Sequence, residues 1–135
     1  MKDKTFLDSN IFLYGFSDMD SRKHEIAGEI LLSGSFSIST QVINEVCNNM
    51  LKKLNFDEPS VMDFIDSCYK RYHIADITKE TFLAASMVRT KYAYSYWDSM
   101  ILASALVSGN NVLYSEDFQS GQKIGKELKI INPFG

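Results

Sequence analysis

The chain has 135 residues, enough for one domain with a single core, and its 45% hydrophobic and 23% charged content excludes a disordered or low-complexity chain. No apolar run approaches the roughly 20 residues needed to cross a bilayer, so a membrane partner is not expected. The net charge of −3 excludes a simple basic nucleic-acid module, unless several acids are set aside as ligands of a cation.

Asp3 and Asp8 interrupt what would be the leading part of a signal peptide, and Asp18 and Asp20 follow the first apolar run. The expectation is therefore a cytoplasmic protein. Cys47 and Cys68 match no zinc or redox spacing and read as small buried hydrophobes in a reducing compartment.

In chain order, residues 4–7 read as a short strand and residues 10–16 as the beginning of a helix. A clearer helix spans 21–32, with Ile26, Ile30 and Leu31 at helical spacing, and Ser33-Gly34-Ser35 breaks it. FSIS at 36–39 reads as a strand. Thr40 is a suitable N-cap for a helix whose apolar stripe runs Val42, Ile43, Val46, Cys47, Met50, Leu51 and Leu54.

Residues 55–59 read as a turn and 60–71 as a helix. HIADI at 73–77 is a strand, and Thr78 caps a helix reaching Tyr92. Residues 94–97 connect to a helix beginning at Asp98 and stopping at Gly109. NVLYS at 111–115 is a strand, EDFQSG a loop, and 129–131 a last strand.

Strands and helices alternate throughout. That pattern predicts an α/β fold, with helices on both faces of a mostly parallel sheet of four to five strands, in one domain covering residues 1–135. In such sheets ligands gather outside the carboxyl ends of the strands. Asp8 directly follows the first strand, and Asp117 follows NVLYS by two residues. Glu45 lies in the first turns of the helix after the second strand, and Asp98 opens the helix leading to the fourth.

Each acid has an ordinary reading by itself. Asp8 and Asp98 are both suitable N-caps, Glu45 sits opposite the apolar stripe as a solvated helix charge, and Asp117 beside Glu116 fits a turn. Taken together they predict a site, because packed carboxylates repel unless a cation intervenes. Oxygen ligands suit Mg²⁺ or Mn²⁺, which can activate a bound water for attack on a phosphodiester.

Four segments in this order, FLDSNIFLYGF, STQVINEV, YSYWDSMILASAL and LYSEDFQSG, resemble the PIN domain, most of all the VapC-type ribonuclease toxins of prokaryotic toxin–antitoxin pairs. The resemblance implies a three-layer α/β/α sandwich and Mg²⁺- or Mn²⁺-dependent cleavage of RNA. It also implies an antitoxin partner and a homodimer. It places metal ligands at Asp8, Glu45, Asp98 and Asp117, with supporting roles for Asn10 and Ser115. Asp117 is preferred to the adjoining Glu116 because it stands two residues beyond Ser115.

The expected reaction is in-line attack by water, leaving a 5′-phosphate and a 3′-hydroxyl, with no covalent enzyme intermediate. His24 reads as an exposed helix residue and His73 as a strand-edge residue, neither placed as a base. Lys52, Lys53, Arg89, Lys91, Lys123 and Lys126 are candidates for holding RNA, with Tyr14, Tyr92, Tyr94 or Tyr96 as stacking surfaces. Trp97 reads as a packing residue that supports the site.

Two other readings compete. LDSN fits, poorly, the nucleophile motif of a haloacid-dehalogenase-like phosphatase, in which Asn10 would have to be a second aspartate. A PIN-like module kept only for binding would usually have lost one of the acids, and here all four positions are filled.

Overall fold

The computed structural model describes residues 3–135. The elements are β1 (Thr5–Leu7), α1 (Ser9–Phe16), α2 (Ser21–Leu32), β2 (Ser37–Ser39), α3 (Thr40–Lys52), α4 (Glu58–Arg71), β3 (His73–Ala75), α5 (Lys79–Tyr92), α6 (Tyr96–Val107), β4 (Val112–Tyr114), β5 (Lys123–Ile124) and β6 (Leu128–Ile131). They build one sheet in the order β3-β2-β1-β4-β6-β5. All pairings are parallel except β5 with β6.

The sheet has six strands, where the sequence reading expected four to five. The additional one, β5, is only two residues long and carries no alternation that could mark it. Its Lys123 and Ile124 pair back onto β6 through Lys129 and Leu128.

The chain moves outward from β1 to β2 to β3, then crosses back over the sheet to β4 on the other side of β1. Right-handed crossovers made in opposite directions put their helices on opposite faces. Helices α1 to α4 pack together in one layer, while α5 packs along α6, which in turn lies on β2 and β4. The result is the three-layer α/β/α sandwich expected from the sequence.

Phe6, Leu7, Ile38, Leu113 and Ile130 are fully buried along the sheet. Ile11, Phe12, Val42, Val46 and Phe64 join them in the core, as do Ile101, Leu102 and Ala105 of α6. Phe12 meets Phe64 and Tyr72 edge-on, with centroids 5.5 and 5.6 Å away. Gly15 lets α2 approach α1 closely, since a Cβ there would stand 2.7 Å from Leu31 Cδ1.

Several helix starts differ from expectation, each because a neighbouring oxygen wins the cap. Ser39, not Thr40, caps α3: its backbone is extended and its hydroxyl accepts from Val42 N. Residues 58 and 59 are helical rather than turn, because Asp57 caps α4 through Ser60 N and Pro59 suits a first turn whose N–H groups have no helical partner. Asp98 is not a cap. Ser95 Oγ accepts from Asp98 N, so α6 begins at Tyr96. Thr78 caps α5 as expected, reciprocally with Thr81.

Cys68 is buried and Cys47 half-buried, and both are free thiols. Burial pushes both thiols up, Cys68 to about 12, in keeping with inert packing residues. His24 is half-buried rather than exposed, with Nδ1 3.0 Å from the Tyr14 carbonyl oxygen. His73 is exposed on the edge strand β3. Among the described residues, no helix is long and apolar enough to cross a membrane.

Candidate active site

The order of strands reverses at β1, which lies between β2 and β4. The crevice outside the carboxyl ends of such neighbours is where parallel sheets bind ligands. Asp8 stands at the end of β1, Ser115 at the end of β4, and α3 starts at the end of β2.

Asp8 is buried and performs two duties. It is the N-cap of α1, its Oδ1 accepting from Ser9 N at 2.7 Å. Its Oδ2 accepts from Ser115 Oγ at 2.7 Å. The Asp8 backbone N–H donates to the Tyr114 carbonyl at 3.0 Å, locking the ends of β1 and β4 together.

Ser115 is fully buried and organises its surroundings. Its Oγ also accepts from Asp117 N at 3.1 Å and lies 3.4 Å from Asn10 Nδ2. One hydroxyl thus gathers Asp8, Asn10 and Asp117.

Burial pushes the Asp8 carboxyl up from the ordinary carboxylate range to about 7; the bonds from Ser115 and Ser9 oppose this, and the negative charges of Asp117 and Glu45 add to it. Asp117 reaches solvent, yet its carboxyl is also raised, by desolvation first and then by the charges of Asp98 and Glu116, against a lowering from the Asn10 amide. The four acids therefore share one electrostatic neighbourhood. Two of them hold their charge at a cost.

Glu45 is half-buried rather than a free surface charge. Gln41, one turn earlier on α3, donates from Nε2 to Glu45 Oε1 at 3.0 Å and to the Trp97 carbonyl at 3.3 Å. It ties the Glu45 side chain to the start of α6, where Asp98 occupies the first turn. The sequence reading passed over Gln41; its signal was the four-residue spacing to Glu45, which puts both on one face.

Glu116 is turned elsewhere. It pairs with Lys23 Nζ at 2.6 Å and accepts from the Tyr14 hydroxyl. Although burial raises its carboxyl, these two donors outweigh that and leave it below the usual value. Lys23 also lies 4.8 Å from the Tyr14 ring centroid. Of the adjoining acids, Asp117 faces the cluster and Glu116 is engaged outside it.

Among the described residues, no three His, Cys, Asp or Glu side chains are grouped closely enough to enclose a metal ion. The carboxylates form a neighbourhood rather than a closed cage. The donor set nevertheless fits a hard divalent ion. It is all oxygen, it carries unbalanced negative charge, and the buried Asn10 Oδ1 and Gln41 Oε1 have no hydrogen-bond partner.

Trp97 does not pack against the site. It is 64% exposed and meets Tyr96 edge-on. The indole lies outside, while the Trp97 carbonyl accepts from Gln41 Nε2.

Of the basic candidates, Arg89 donates to Ser99 Oγ at 2.7 Å, one residue from Asp98, and lies 4.8 Å from the Tyr96 ring centroid. Lys91 sits over the Tyr92 ring. Lys123 is on β5, and Lys126 is exposed in the turn after it. Lys52 and Lys53 are exposed at the far end of α3, about 10 Å along the axis from Glu45. Tyr14, Tyr92 and Tyr94 spend their hydroxyls on Glu116, Gly125 N and Gln122, leaving Tyr96 the most open of the four.

The PIN domain family model matches residues 5–122. The chain belongs to the PIN domain family. In fold this PIN domain is similar to a toxin–antitoxin complex component from Klebsiella pneumoniae (TM-score 0.70, 18% identity), over 96% of this chain and 98% of the other. It is also similar to VapC20 of Mycobacterium tuberculosis, described as a sarcin-ricin-loop-cleaving toxin (TM-score 0.69, 15% identity, 84% and 90% of the chains). A third similar structure is DNA-bound VapBC from Salmonella typhimurium (TM-score 0.67, 17% identity, 96% and 97%). No curated protein matches the sequence.

Proposed function

We propose that this PIN domain is a Mg²⁺- or Mn²⁺-dependent endoribonuclease, acting as the toxin of a toxin–antitoxin pair. The observation that carries the reading is Asp8, a buried carboxyl at the switch point, raised to about 7 with Asp117 and Glu45 pressing on it. Perturbed carboxyls in a crevice of this kind are a mark of functional sites.

Asp8, Glu45, Asp98 and Asp117 would hold the cation, which when bound lowers the pKa of a water and offsets charge developing on phosphate oxygens. The remaining work falls to the chain. Ser115 fixes the Asp8 carboxyl and the backbone of Asp117. Gln41 fixes Glu45 and the start of α6. The amino ends of α1 and α3 open at this edge, with that of α6 tied to α3 through Gln41, and their dipoles favour carboxylates and phosphate.

The partners follow the same reading. RNA is the substrate, and an antitoxin is the inhibitor, as the Klebsiella and Salmonella complexes suggest by their descriptions. A homodimer is part of the proposal, with the exposed Phe82, Leu83 and Met87 of α5 as apolar surface to be covered. The deciding experiment is RNA cleavage by Asp8→Asn and Asp98→Asn at saturating Mg²⁺. Both should lose at least about 100-fold in turnover while remaining folded; near-wild-type turnover in either discards the scheme.

A further inference from the structure

We infer that Trp97 and Tyr96 form a base-stacking platform beside the acids, holding an unpaired nucleobase of a single-stranded RNA next to the phosphate to be cut. This rests on the ribonuclease reading and deepens it by naming the groups that recognise substrate.

Trp97 is 64% exposed and Tyr96 47% exposed. Large aromatic rings are usually well covered in a folded chain, and these two adjoin Asp98. They are also held in place. Their centroids are 5.1 Å apart at an interplanar angle of 82°, a T-shaped contact that leaves most of the indole open to solvent.

The backbone beneath them is fixed from both sides. Gln41, which bonds Glu45, holds the Trp97 carbonyl, and buried Ser99 donates to the Tyr96 carbonyl at 2.6 Å. Arg89 accompanies the platform, 4.8 Å from the Tyr96 ring centroid and bonded to Ser99 through Nη1. That leaves further guanidinium donors for a phosphate.

A purely apolar partner would leave this cation without a counterpart. A nucleotide supplies both a π-face and an anion. Stacking requires an unpaired base, so the platform selects single-stranded or looped RNA over duplex.

Trp97 is the only tryptophan in the chain, so intrinsic fluorescence reports on it alone. The probe is a fluorescein-labelled 12-nucleotide single-stranded RNA of mixed sequence, titrated in EDTA with anisotropy as readout. A matching unlabelled RNA is used for tryptophan emission, and a duplex of the same sequence is the control. Emission should be quenched by the single strand and much less by the duplex. Trp97→Ala should weaken binding roughly ten-fold, Trp97→Phe should restore most of it, and neither should shift the melting temperature appreciably. In Mg²⁺ the alanine variant should raise KM with little change in kcat.

Unquenched emission at saturating RNA, wild-type affinity in Trp97→Ala, or no RNA binding by the wild type each overturns the platform. A blue shift that grows with protein concentration in the absence of RNA also overturns it, by placing Trp97 in a contact between copies. Quenching without cleavage in Mg²⁺ keeps the platform and removes the ribonuclease reading. Cleavage indifferent to Trp97→Ala does the reverse.

Discussion

The hydroxyl of Ser115 donates to Asp8 Oδ2 at 2.7 Å across 107 positions of sequence. With the Asp8 N–H to Tyr114 carbonyl bond, it joins the end of β1 to the end of β4 at the candidate site. Ser115→Ala should therefore leave Asp8 buried without that donor, at a cost of about 1–3 kcal/mol above neutral pH, where the carboxylate is charged. Urea denaturation measures this, and Mg²⁺-dependent cleavage should fall with it. Unchanged stability at pH 8 would show that the bond contributes nothing.

The raised Asp8 carboxyl gives a pH dependence with a definite sign. Unfolded, it ionises near pH 4; folded, near 7. Between these values the folded state binds more protons, so stability without metal falls as pH rises, by up to about 4 kcal/mol. Asp117 is raised too and acts in the same direction. Urea midpoints in EDTA should decline from pH 4.5 to 7.5, and Asp8→Asn should flatten the decline. Millimolar Mn²⁺ at pH 7.5 should raise the melting temperature of the wild type.

Gln41 holds Glu45 and the start of α6 together without being one of the acids. Gln41→Ala should weaken metal affinity about 10- to 100-fold, by analogy with residues that orient metal ligands. The Mn²⁺ concentration giving half-maximal cleavage is the measurement, and saturating Mn²⁺ should recover most of the rate.

The two adjoining acids should separate cleanly. Asp117→Asn should abolish most cleavage. Glu116→Gln should retain it within a few-fold and cost at most about 1 kcal/mol, because the Lys23 pair is partly exposed. Equal loss in both variants would mean that the Lys23–Glu116 contact positions the loop more tightly than its exposure implies.

Alternation of strands and helices was legible because apolar runs and caps such as Thr78 agree with one another over whole elements. What was not legible turned on single atoms. Ser39 and Thr40 are both good caps in sequence, and only the extended backbone at Ser39 decides between them. Asp98 looked like a cap because aspartate usually is one, but Ser95 takes that role.

The four acids stand out in sequence by lying just after strands (Asp8, Asp117) or in the first turns of helices (Glu45, Asp98), a rule that tolerates errors of a residue or two in the element bounds. Trp97 was misjudged, because a ring next to a buried face can still point outward by one helical step. Gln41 was missed because a neutral amide carries no charge to notice, although Asn10 and Gln41 end with bare buried oxygens.

The position of β4 has a consequence for synthesis. Its pairing with β1 fills the centre of the sheet, between strands made first and strands made last. A nascent chain leaving the ribosome carries Asp8, Glu45 and Asp98 well before Ser115 and Asp117. Until that late strand slots in, Asp8 has neither the Ser115 hydroxyl to accept from nor Asp117 beside it, so the surroundings of this buried carboxyl are completed only as the last strands join the sheet.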